Sequence, residues 1–321
     1  MVDIDSRWVA DEATSLSNWG RWGPDDEIGT WNLVTPEKIK EAAACVRQGK
    51  VFSLALPFGP KGPNRSGIEG RPNAIHLMQL TGTDAAAGVQ DTMFPGPAKF
   101  ADDWVIMNLS CSTQWDGFCH IFYEGRTYNG VKDTTVSSWG ARRNSITKLR
   151  DRITTRAVLL DIPRALGQPW CQPGIPITPS DLDLAIKRQG SVSVGPGDVV
   201  LIRTGHLSQV RASGDWSTYA GNGDAPGLSA TCGRWIAERD LAAIATDTWG
   251  AEVLPYETPE SSAPLHQILL AHCGITIGEM FDLDALAEDC ARDGIYEFML
   301  VAPILPIDGA VNTPVNPQAI K

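Results

Sequence analysis

The sequence predicts an α/β protein, a single domain over residues 1–321 with a mixed β-sheet core and flanking helices. Three observations carry this reading. Apolar runs of strand length recur, at 104–109 (WVIMNL), 157–162 (AVLLDI), 199–203 (VVLIR) and 298–305. Helix starts fall between them, two of them Thr-Pro pairs. No repeat or shift of composition marks a linker. Strands and helices do not alternate strictly, which favours a mixed sheet over a simple doubly wound one.

Taken in order, residues 1–34 are polar and tryptophan-rich around NWGRWGPDDEIG. Gly, Pro and paired Asp predict a structured arm there rather than a helix. Thr35 caps a helix with Pro36 at its first position, running to about Gln48; with the arm it makes up residues 1–50. Residues 51–56 follow as a strand. FGPKGPNRSGIEGRP, 58–72, is a long loop of the kind that serves as a lid or binding loop. An extended stretch follows at 74–80, then loop to 103. The run at 104–109 reads as a buried strand. Residues 145–155 are charged and read as helical. Thr178-Pro179 starts another helix, with Asp181 placed to favour its N-terminus. After the 199–203 strand, 207–228 reads as a glycine-rich loop. Ser229 caps a helix to about Arg239, 241–246 is a strand, and Pro264 opens a helix that stops at Gly274. A short strand at 275–277, a helix at about 283–289 and a strand at 298–305 complete the pattern; the tail after Pro306 reads as irregular.

Composition excludes several classes. A net charge of -11 argues against nucleic acid and anionic membrane as partners. No stretch approaches the ~20 apolar residues of a membrane span. The N-terminus lacks a signal-peptide layout, and the seven cysteines are scattered without a CxxC pair. The expectation is a cytoplasmic protein with reduced thiols. GxSxG, GxxxxGK[ST], HExxH and strand–GxGxxG–helix are absent, which lowers the weight of serine hydrolases, nucleotide-binding proteins and dinucleotide dehydrogenases.

The chemistry concentrates after the 104–109 run. Gln114 and Asp116 are two apart, so an extended backbone points both to one side. His120 follows beyond Gly117. An amide oxygen, a carboxylate and an imidazole in this order can hold a metal ion or move a proton. A solvated turn with a hydrogen-bonded histidine is the competing reading. Only five histidines occur. His266 lies on a predicted helix, thirteen residues before Glu279 at a strand end, and the two converge if helix and strand pack antiparallel; a core or surface histidine is the plainer alternative. His76 and His272 read as structural. His206, just past the 199–203 strand, is a candidate for substrate hydrogen bonding or simply a loop histidine.

SCSTQWDGFCH, 110–120, resembles the HxGTHxDxPxH motif of the cyclase family, which includes bacterial kynurenine formamidase and isatin hydrolase. GDVVLIRTG (197–205) resembles its GDxxLxRTG strand, AAIATDTW (242–249) its strand ending in aspartate, and HQILLAHCGITIGEMFDLDAL (266–286) its late HxxLL…E segment. The match runs from about 74 to 305. The STQWDG spelling and the NWGRWGPDDEIG arm look like a longer branch of that family.

The resemblance implies a β/β/α swivelling-domain fold, a homo-oligomer and metal-assisted hydrolysis of a carbonyl-containing ring or amide: a cyclic amide, lactone or aryl formamide. Ser110 and Gln114 stand where the family has two histidine ligands, while Asp116, His120, His266 and Glu279 are kept. The implied ligands are Asp116, His120, His266 and Glu279, with Gln114 adding an amide oxygen; this oxygen-rich mix favours Mn²⁺ over Zn²⁺. His120 or Glu279 is the implied acid–base group. Trp115 and Phe118, which flank the ligands, are candidates for stacking on a flat substrate, with core packing as the alternative. A lyase or cyclase of the same fold, or a metal-free binding protein that has lost part of the site, are the other readings.

Overall fold

The computed structural model describes residues 4–64, 71–221 and 223–321. One nine-stranded sheet organises it. In spatial order the strands are Val51–Ser53, Gln318–Ile320, Glu297–Val301, Thr154–Asp161, Val199–Arg203, Ala243–Thr246, Thr276–Glu279, Gln114–Asp116 and Asn312–Pro314. The four central strands, 154–161 through 276–279, are mutually parallel. Every pairing outside them is antiparallel, so the sheet is mixed as expected.

Chain connectivity forces this sheet to curl. Asn312–Pro314 is the last strand in the order and Gln318–Ile320 the second, yet three residues join them. Seven strand spacings in a flat sheet would span roughly 34 Å, and so short a link reaches only about 14 Å. The two ends must therefore approach each other, and the core fills the space that results. Strands 154–161 and 199–203 are buried along nearly their whole length, as Val, Leu and Ile runs covered on both faces should be. The Thr-Pro helix starts hold. Thr35 caps Pro36–Ala44, and Thr178 with Asp181 forms a capping box on Pro179–Arg188.

Several segments depart from the sequence reading. Of residues 145–155, expected to be helical, only Ile146–Leu149 forms a short 3-10 turn, and Thr154 already begins a strand of the sheet; Gly82–Ala86 is a short helix in the expected loop. Asp5 caps a helix over Ser6–Ser15 inside the expected arm. The 207–228 loop opens instead with the helix His206–Ser213. The tail after Pro306 contributes two strands of the main sheet. The apolar run at 104 is not buried: its strand is Asp102–Ile106, paired with Ile75–Leu80 in a separate two-stranded ribbon. Trp104 is 57 % exposed and Ile106 56 %. The centre of the 58–72 loop, residues 65–70, lies outside the described residues.

All seven cysteines are buried and free of disulfides. Among the described residues no helix is long and apolar enough to cross a membrane.

Candidate metal centre

The Gln114–Asp116 strand runs between Thr276–Glu279 and Asn312–Pro314 and is antiparallel to both. Register places Glu279 opposite Gln114, and Asn312 opposite Asp116. Alternation then turns Gln114, Asp116 and Glu279 to one face and Trp115 to the other. Trp115 packs over Gly278, its register partner; a Cβ there would lie 2.7 Å from the indole and 2.6 Å from Ala245, so only glycine fits.

His266 reaches the same face from the short helix Pro264–His266, which continues as the wider π-helix Gln267–Cys273. Glu252 sets its orientation. The carboxylate accepts from the backbone N–H of Leu265 (2.9 Å) and His266 (3.0 Å) and lies 2.5 Å from His266 Nδ1. With Nδ1 engaged, Nε2 faces Glu279 Oε1 at 3.3 Å and Asp116 Oδ2 at 3.7 Å. One ligand atom from each of Asp116, His266 and Glu279 lies within 4.8 Å of the others, all three side chains buried.

Gln114 ties the carboxylates together: its Nε2 donates to Asp116 Oδ1 (3.2 Å) and Glu279 Oε2 (2.9 Å). Its Oε1 and Asp116 Oδ2 are buried with no hydrogen-bond partner. Two orphaned buried oxygens beside a carboxylate–imidazole–carboxylate cluster are an unmet demand for a cation. Two carboxylates, an imidazole and an amide oxygen suit a divalent ion. The residues present therefore fit the implied metal.

Electrostatics point the same way. Burial, then the neighbouring Glu279, pushes Asp116 well above the usual carboxylate range. Glu279 is equally buried, yet its hydrogen bond to His266 and the charge of that ring hold it below its ordinary value. Burial alone would lower His266; the hydrogen bonds to Glu252 and Glu279 outweigh it and raise the imidazole to about 10. Without an ion the His266 imidazolium faces the carboxylates of Glu279 and Glu252, and burial works against charge on Asp116. An ion ligated by His266 would displace the proton from that ring.

His120 stands beside this cluster rather than inside it. Its Nδ1 lies 3.1 Å from the Asn312 amide nitrogen, which also donates to Ser110 Oγ at 2.7 Å. Burial pushes its pKa down to about 4, with Glu279 opposing, so the ring is neutral at pH 7. Trp115 and Phe118 are corrected. Trp115 is fully buried, bonded to Ala302 O and edge-on to Phe281, because it occupies the odd position between two site residues. Phe118 is buried against Tyr128, so neither ring has a face open to a substrate. His206 is 1 % exposed and packs on Tyr219; its Nδ1 lacks a partner, and burial alone lowers it to about 4. It too offers no open edge. The sequence alone does not single out Glu252 or Asn312. Nothing in spacing marks Glu252, in the loop preceding the helix, and Asn312 reaches the site only because the sheet closes on its own tail.

The family model named Putative cyclase matches residues 52–253. A crystal structure named a novel cyclase is 38 % identical, with a TM-score of 0.86, covering 96 % of this chain and 99 % of that one. Isatin hydrolase A from Labrenzia aggregata aligns at 16 % identity and TM-score 0.59, over 88 % of this chain and 97 % of that one. A predicted metal-dependent hydrolase from Bacillus stearothermophilus aligns at 16 % and 0.52, over 85 % and 98 %. The last two show a shared fold. No curated protein matches.

Proposed function

The chain belongs to the putative cyclase family, and from that premise we propose that it is a metal-dependent hydrolase opening a carbonyl-containing ring or amide: a cyclic amide, a lactone or an aryl formamide. One observation carries the reading, the buried convergence of Asp116, His266 and Glu279 beside two unpartnered oxygens. These three side chains would hold the ion, with Gln114 Oε1 available as a further donor. The oxygen-rich set favours Mn²⁺ over Zn²⁺. When bound, the ion would supply electrophilic activation of the substrate carbonyl and of water.

The chain's own residues supply the rest. Water adds to the carbonyl carbon, the C–N or C–O bond breaks, and the proton removed from water ends on the departing nitrogen or oxygen. His120 is suited to carry it: a ring beside the cluster that is neutral at pH 7. For Nε2 to take the proton, Nδ1 of the neutral ring must carry the hydrogen, and the Asn312 amide, turned so that its orphaned Oδ1 faces Nδ1, accepts from that N–H in the neutral and the charged ring alike. Glu279 is the second candidate for the base. Glu252 holds His266 in the tautomer that presents Nε2 to the ion.

The same proposal includes a homo-oligomer acting on a small molecule in a reducing compartment such as the cytoplasm. An isolated two-stranded ribbon is marginal in water, and this one exposes Ile75, Leu77, Met78, Trp104, Val105 and Ile106. A second copy of the chain is the occupant that supplies an equally apolar surface. The net charge of -11 argues against nucleic acid.

The test is metal analysis of protein purified without added ions, beside Asp116→Ala, with substrate screening in ¹⁸O-labelled water. Expected are a stoichiometric divalent ion that Asp116→Ala loses, and one solvent oxygen in the product. Protein that neither contains nor takes up metal would sink the hydrolase reading and favour a binding protein. Turnover without solvent oxygen would make it a lyase or cyclase.

A further inference from the structure

We infer that the site takes an anionic substrate, a small carboxylate-bearing molecule gripped by the guanidinium of Arg71 beside the face of Trp249. The fate of that substrate rests on the hydrolase reading; its binding does not.

Geometry brings Arg71 to the site. Its guanidinium carbon lies 5.8 Å from the centre of the Trp249 ring. Trp249 follows Thr248, whose carbonyl accepts from Met280 N at 3.0 Å, and Met280 follows Glu279. Trp249 also packs on the small apolar cluster that contains Met280 and Tyr219. The backbone of Arg71 is tied down. Its carbonyl accepts from the Asn64 side chain, and Asn73 in turn accepts from Asn64 N (3.0 Å) and donates to Gly62 O (3.2 Å). The charge of Arg71 is felt by Asp116, His120, Glu279 and Tyr256 alike, in each case behind the larger effect of burial.

This arginine is also unlike others in the protein. Arg156, Arg164, Arg203, Arg211 and Arg234 each bind a carboxylate. The guanidinium of Arg71 makes no hydrogen bond or ion pair among the described residues, while its charge reaches Asp116 and Glu279. A planar fork of donors left open beside a catalytic cluster is a ready carboxylate receptor. Its charge also offsets, locally, the field of a chain whose net charge is -11. A single guanidinium among carboxylates suits a monoanion; a phosphate dianion would require more positive charge. The half-buried Trp249 ring adds a flat face for an aromatic or conjugated body.

The probes are benzoate and its neutral isostere benzamide, titrated calorimetrically into the metal-loaded protein, wild type and Arg71→Gln. Wild type should bind benzoate better than benzamide, and Arg71→Gln should weaken benzoate by roughly tenfold or more while leaving benzamide unchanged. Arg71→Lys, which keeps the charge and loses the fork, should fall between. The ligand-free melting temperature of each variant reports on folding. Benzoate bound equally by wild type and Arg71→Gln, as it would be if held by the ion alone, overturns the inference, and so does a wild type that binds no benzoate. Because no turnover is measured, Arg71-dependent binding in a protein without hydrolase activity would retain the anchor and discard only the reaction.

Discussion

Replacing Glu252 by Gln tests whether the cluster is a metal site with an oriented imidazole. The carboxylate accepts three N–H groups, two of them from the backbone at the start of the short helix and one from His266 Nδ1. A Gln side chain can keep its oxygen on His266, but its NH₂ then faces the N–H of Leu265, donor against donor. Two effects on metal binding oppose each other. Loss of the carboxylate loosens the ring and lowers its basicity, worth about 10- to 100-fold in affinity, or about 1.4 to 2.7 kcal/mol. Loss of the charge also removes a main reason why His266 is raised to about 10, so the proton that an ion must displace leaves more easily. The sign follows. Below about pH 10 wild-type affinity for Mn²⁺ rises with pH, because His266 must lose its proton to ligate. In Glu252→Gln that requirement is met at lower pH, so the affinity curve is flatter. The variant should be at its greatest disadvantage near pH 9, where the wild-type proton costs only about tenfold, and the difference should shrink and then reverse toward pH 6. Calorimetric Mn²⁺ titrations of both proteins at pH 6, 7.5 and 9 measure it, with circular dichroism as the check on folding. A folded variant whose Mn²⁺ affinity climbs as steeply from pH 6 to pH 9 as wild type's would refute the coupling of Glu252 to His266.

Three further outcomes are expected. His120→Ala should keep its metal while turnover of a screened substrate falls by about 10² to 10⁴; loss of the ion as well would make His120 a ligand and leave Glu279 as the base. His206 is pushed from 6.5 down to about 4 by burial, so the unfolded chain binds a proton that the fold refuses, and stability drops as pH falls through that window. Between pH 7 and pH 5 its share of the loss is about 2 kcal/mol, and urea unfolding of His206→Gln should show a pH 7-to-5 difference smaller by that amount; an unchanged difference would count against the buried neutral ring. Trp104→Glu combined with Ile106→Lys should convert the assembly to monomers in light scattering with metal content unaltered, whereas a monomeric wild type would leave the exposed ribbon without its proposed partner.

Which parts of the site were legible follows from the range of the interactions that build it. Gln114 and Asp116 share a face because strand alternation is local, and the same rule, applied to the residue between them, already sends Trp115 into the core. Of the two readings open for Trp115, stacking on a substrate or core packing, this rule selects the second. His266 and Glu279 are separated by thirteen residues, and a helix returning onto its own strand closes that distance. Glu252 and Asn312 depend on longer contacts. Glu252 belongs to the loop that folds back on the start of that helix. Asn312 faces Asp116 across a strand pair that exists only because the C-terminal segment completes a curled sheet. The 104–109 run misled for a different reason. Apolar residues of strand length signal removal from water, and the single chain leaves them exposed. The sequence rule is then incomplete rather than broken if burial is supplied by a second copy. By the same logic Ser110 in place of a family histidine is not simply a lost ligand: its hydroxyl accepts from Asn312, and through Asn312 it bears on the ring that the proposed mechanism needs most.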